Sequence, residues 1–179
     1  MGCFEVFDPA EAINRRALAE NWPFACDGVL CFEQNELNAL SDIWFSLAAK
    51  KGVPSRADFD ARILKPFLRH IGIVERVMID ASKWRYKTRL SGSAIVEIAG
   101  DQTGRFLDEY IPAAFLPRWS SVYDAVLDGR APLRVAGAFE LPKLAYLNGE
   151  SLVAPLVDAR GNTSLVLSCL YFTPKQAAA

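Results

Sequence analysis

The chain has 179 residues, of which 51% are hydrophobic and 23% charged, with a net charge of -1 and a pI near 5.9. That length and apolar content give one folded domain with a sizeable core and exclude a disordered chain. The near-neutral, slightly acidic balance leaves no overall positive field to hold a phosphate backbone, so nucleic acid is not an expected partner.

In chain order, residues 8–20 read as a short helix. Asp8 caps it, Pro9 takes the first helical position and Glu11 complements the positive end of the dipole. Pro23 ends the segment, and 24–33 is expected to be extended. From Glu36 to Lys50, Leu37, Leu40, Trp44, Leu47 and Ala48 form the stripe of a core-facing helix. Ile43 and Phe45 lie off that stripe, which implies either extra burial or contact with a second copy. Val53-Pro54-Ser55-Arg56 is a loop, after which Asp60 caps a helix carrying Ile63, Leu64, Phe67 and Leu68 that Pro66 should divide. His70, the sole histidine, stands at its end.

Residues 72–80 and 83–91 are two strands joined at Asp80–Ser82. In the second, Lys83, Arg85, Lys87 and Arg89 alternate with Trp84, Tyr86, Thr88 and Leu90. Period two with rings on one side describes a half-buried strand. The basic row needs solvent, acidic neighbours such as Glu75, or an anionic partner. A short apolar segment (93–99) precedes the break at Gly100-Asp101-Gln102. A longer helix then starts near Pro112 or Pro117, with Trp119, Val122, Tyr123, Val126 and Leu127 at helical spacing and Gly129 as its stop. Three strands close the chain: Leu133–Phe139, Leu144–Val157 with a bulge or turn at Asn148-Gly149, and Thr163–Phe172. The last is apolar on both parities, as a strand covered on both faces must be. The resulting class is α+β: five antiparallel strands with helices gathered between the second and third, and an N-terminal helical extension.

Those elements carry an ordered set of small motifs. They are Trp44 in the entry helix, Pro54-x-Arg56 with Phe59-Asp60, Arg85-Tyr86-x-x-Arg89-Leu90-x-Gly92-Ser93, and Thr103-Gly104-Arg105 before Leu107-Asp108-Glu109. Pro132, Ala154-Pro155-Leu156, Asp158 and Gly161 follow. In this the chain resembles a PAS domain, and more narrowly the single-domain bacterial PAS family of alphaproteobacteria. The resemblance divides it into an extension (1–36), a PAS-like domain (37–173) and a tail (174–179). It implies a sheet and helices around a cavity, which PAS domains use for haem, flavin, small acids or lipids, or leave packed shut. It also implies a homodimer, and a signal passed by contact to a separate output protein, since the length leaves no room for an output domain.

The residues expected to face that cavity are Tyr86, Thr88, Leu90, Ile95, Trp119, Tyr123 and Phe139. They describe an ordinary aromatic core as readily as a pocket for a small apolar or amphipathic ligand, and the packed core is the favoured account. The hydroxyls weigh the other way, because buried ones want partners. No cofactor is expected. His70 lies before the first strand and not on the long helix where PAS haem ligands sit, and 93–107 has no cysteine for flavin photochemistry. Cys3, Cys26, Cys31 and Cys169 lack metal-ligand spacing, so no metal site is expected. Asp80, Glu97 and Glu140 sit in no motif tied to His70. No catalytic residue is therefore assigned, and an enzyme is the minor alternative beside a sensor or a ligand-free scaffold. Without a leader-like start or a run of roughly 18 apolar residues, the expected location is the cytoplasm, with no membrane contact.

Overall fold

The computed structural model describes residues 9–138 and 146–175. Helical spacing becomes helix at α1 (Pro9–Ala19), α2 (Asn35–Lys51), α3 (Ala61–Leu64), α4 (Ser93–Ala99) and α5 (Leu116–Gly129). Alternation becomes strand at β2 (Ile71–Asp80) and β3 (Lys83–Ser91), then at β4 (Leu133–Ala138), β5 (Leu147–Val157) and β6 (Thr163–Pro174). A further strand, β1 (Phe24–Asp27), makes the sheet six-stranded, in the order β1-β4-β5-β6-β2-β3. All neighbouring strands are antiparallel. The sixth strand lies within the stretch expected to be extended. Four residues are too few to show a period, and only pairing with β4 holds them straight.

Gly137 is what lets β1 approach. A side chain there would meet the Pro23 carbonyl oxygen at 2.2 Å and the Phe24 Cα at 2.5 Å. Across the next ladder it faces Gly149. The bulge or turn expected at Asn148-Gly149 is therefore absent: both residues pair regularly, and the register shift of β5 sits at Leu156/Val157. Gly149 signals close packing of backbones rather than a break.

Both sheet faces are covered, because β5 and β6 are apolar on both parities. One face sets Val74, Val135, Val153 and Val166 against Val122, Val126 and Leu127 of α5 and Ile13 of α1. The other sets Ile71, Ile73, Leu152, Leu156 and Leu167 against Leu37, Leu40 and Trp44 of α2, with Phe59, Leu64 and Phe67 beside them. Leu37 and Leu40 are fully buried, each contributing about 1.5–3 kcal/mol. Trp44 also donates its indole N–H to the Pro155 carbonyl at 3.0 Å, which fixes the helix on the sheet. Of the off-stripe residues, Ile43 is half-buried and Phe45 is 47% exposed.

The turn after α2 is held by Asp58, which accepts from Lys51 Nζ at 2.6 Å and from the Ser55 amide and hydroxyl at 2.7 Å each. Those bonds, the Lys51 one first, hold its carboxyl down to about 2. A depressed carboxylate contributes stability above its ordinary pKa and loses it as pH falls through the folded value. Asp58→Asn should thus lower the melting temperature slightly at pH 7, by the equivalent of about 1 kcal/mol or less for so solvated a pair. Thermal melts should show the gap between variant and parent closing as pH falls towards 2, and a constant gap would contradict the assignment.

Among the described residues, no helix is long and apolar enough to cross a membrane, and no cluster of side chains could hold a metal ion.

Candidate functional site

The face of the sheet under α5 carries Tyr86, Thr88 and Ser91 from β3, Gly72 and Val74 from β2, Ser168 and Leu170 from β6, and Ser151 and Val153 from β5; a register shift between Ile73 and Val74 sets Leu90 opposite Ile73, at the border with the other face. Register sets these side by side: Val153 is opposite Ser168, Ser168 opposite Gly72, and Ser151 opposite Leu170. Above them stand Ile95 and Ala99 of α4, Gln102, Tyr110 and Ile111 of the following segment, and Trp119 and Tyr123 of α5. A cavity of about 140 Å³ remains between the two layers. Its floor is low because Gly72 has no side chain: a Cβ there would meet Ser168 Oγ at 2.6 Å and Ile95 Cδ1 at 3.7 Å. Ala99 is the one exposed residue of the described lining and marks the side nearest solvent.

Five of the residues expected here from sequence, Thr88, Leu90, Ile95, Trp119 and Tyr123, line this one space. Phe139 lies outside the described residues. Tyr86 is buried as expected but stands outside the lining. Its hydroxyl donates to Asp124 of α5, which also accepts from the Trp84 indole at 3.1 Å. Arg76 completes the group, 3.7 Å from Asp124 and 2.7 Å from Asp128. Burial raises both the Tyr86 phenol and the Asp124 carboxyl above their ordinary ranges. This cluster ties the β2–β3 hairpin to α5 and is structural in its geometry.

The polar groups of the cavity divide cleanly. Thr88 Oγ1 and the Tyr110 hydroxyl share a bond of 2.8 Å. Ser168 Oγ donates to the Gly72 carbonyl at 3.3 Å. Gln102 donates to the Ala99 carbonyl at 2.8 Å and accepts from Arg105 at 3.0 Å. The hydroxyls of Tyr123, Ser151 and Ser91 have no partner among the described residues; Tyr123 and Ser151 are only 8% and 4% exposed, while Ser91 is half-buried. Burial pushes the Tyr123 phenol well above its usual range, so it is neutral. Gly72, Tyr110, Ser151 and Ser168 were not singled out from sequence. The available signal was a serine next to apolar residues in each of two strands, Ser151 before Leu152-Val153 and Ser168 within 165–170, since a buried polar residue is the informative exception in a core.

A family model described as a PAS domain matches residues 32–171. The chain belongs to the PAS family. As a PAS domain it is a sensory or regulatory module; the matched span takes in α2 to α5 and β2 to β5, with all but the end of β6, and leaves α1 and β1 outside. No curated protein matches it. Among solved structures it is similar to an RNA-binding light-oxygen-voltage receptor, at 10% identity and a TM-score of 0.38 over 64% of this chain. It spans about a third of that receptor's length, 33%.

The remaining sequence candidates of this PAS domain are accounted for locally. Arg85 grips Asp108 with two bonds, at 2.7 and 3.0 Å, and lies 3.8 Å over the Phe106 ring. Arg89 pairs with Glu75, as the basic row required. Lys87 lies 5.4 Å over Phe106. His70 stacks on Tyr171 at 3.9 Å with Nδ1 on the Leu170 carbonyl. Glu97 pairs with Arg69 and Asp80 caps its own turn, so neither approaches His70 or the cavity. Glu140 is outside the described residues. Burial lifts the Cys26 and Cys169 thiols to about 12, which makes both inert.

Proposed function

We propose that this PAS domain senses a small ligand held in the cavity under α5 and reports its presence to a separate protein by contact. The observation that carries this reading is that two buried residues lining the same space, Tyr123 and Ser151, make no hydroxyl bond to the described residues. A packed core satisfies its polar groups. An apolar wall with a few unsatisfied polar points is how small-molecule sites are built. Native mass spectrometry of freshly purified protein should reveal an adduct lost on denaturation, and a metabolite panel should contain compounds that raise the melting temperature. A clean mass together with a flat panel would leave a ligand-free scaffold as the reading.

The same proposal includes a homodimer through the outer side of α2, where Phe45 is exposed and edge-on to Trp44 at 5.1 Å. Phe45→Glu should convert it to monomer in sedimentation velocity with its fold intact. An unchanged sedimentation coefficient would remove α2 as the contact.

A further inference from the structure

Resting on the cavity reading above, we infer that the ligand is an uncharged, ring-sized molecule bearing a hydroxyl or similar group, and that carboxylates are rejected. Size sets the first limit. A dry cavity of roughly 150 Å³ holds one benzene, and this one is about 140 Å³. Lining sets the second: three aromatic residues, Trp119, Tyr123 and Tyr110, and the aliphatic Val74, Val153 and Leu170 border the space.

Charge decides the class. No aspartate, glutamate, lysine, arginine or histidine stands among the described residues of the lining. Arg105 comes nearest in kind, but it is spent on the Tyr110 ring, the Gln102 amide and the Glu109 carbonyl. A carboxylate drawn into this space would lose its hydration and meet no cation, which is the costly case of a buried unpaired charge. A neutral hydroxyl loses little, because Tyr123 and Ser151 can each donate to it or accept from it. Tyr123 and Ser151, with the half-buried Ser91 beside them, are the lining hydroxyls left to discriminate; Thr88, Tyr110, Ser168 and Gln102 already bond to protein.

The test titrates the full chain with phenol, toluene and benzoate at pH 7 by calorimetry, three probes that share one ring. Phenol should bind tightest, about 5–10-fold above toluene for one added hydrogen bond and at least about 100-fold above benzoate. Tyr123→Phe, which keeps the ring, and Ser151→Ala should each lower the phenol-to-toluene ratio towards one without loss of toluene binding. Benzoate equal to phenol would overturn the neutral-ligand inference and leave the cavity reading standing. A ratio unchanged in both variants would overturn the role of the two hydroxyls. Failure of phenol and toluene alike, with a clean native mass, would defeat the cavity reading itself.

Discussion

Tyr86→Ala should lose about 3–5 kcal/mol of stability, Tyr86→Phe about 1–2, and Tyr123→Phe nothing or a slight gain, all read as urea midpoints at constant m-value. Two tyrosines whose rings touch edge to face at 5.3 Å thus part company. Tyr86 is 5% exposed, and truncating it opens a void between β3 and α5 that the surrounding valines cannot fill. Its hydroxyl also satisfies Asp124. Removing that hydroxyl alone leaves Trp84 and Arg76 on the carboxylate, so the smaller loss is expected. Tyr123 is nearly as buried, yet its hydroxyl bonds nothing among the described residues, and deleting an unsatisfied polar atom costs no partner. A Tyr123→Phe loss equal to that of Tyr86→Phe would mean the Tyr123 hydroxyl is bonded after all, and the cavity argument would fall with it.

That contrast also shows where reading the sequence stops. Period two in Lys83–Ser91 and helical spacing in Trp119–Leu127 placed both tyrosines inward and opposite each other, and the PAS resemblance supplied the order of elements. Which of them meets a cavity depends on partners far away in the chain. Asp124 claims Tyr86 from 38 residues on, while the space beside Tyr123 exists because Gly72 lacks a side chain and Ser168 is short. Neither fact leaves a periodic trace. β1 escaped for a different reason: its four residues become a strand only by lying on Gly137. The cover on the second sheet face was legible in α2, where Leu37, Leu40 and Trp44 repeat, and in the double-sided apolar run of β6.

The other large effect is expected far from the cavity, at Glu150. Its carboxylate is 8% exposed and accepts from the Glu33 amide at 3.0 and 3.1 Å, the Gln34 amide at 3.1 Å and Arg134 Nε at 2.7 Å. Arg134 turns its other arm to Asp27 of β1 at 3.0 Å. One carboxylate in β5 therefore fixes the entry to α2, and through Arg134 it holds the edge strand as well. Glu150→Ala would take the acceptor from three N–H donors, none of them fully buried, a loss of about 2 kcal/mol and more if Arg134 loses its hold on Asp27. Glu150→Gln keeps the shape and one accepting oxygen, so about half that loss is expected. Hydrogen exchange should place the damage: the amides of Glu33 and Gln34 should lose protection first, while β2 and β6 keep theirs. If both variants unfold at the parental urea concentration with those two amides still protected, the N-terminal segment is held by the apolar contacts of α1 and Phe32 alone, and the carboxylate is incidental to it.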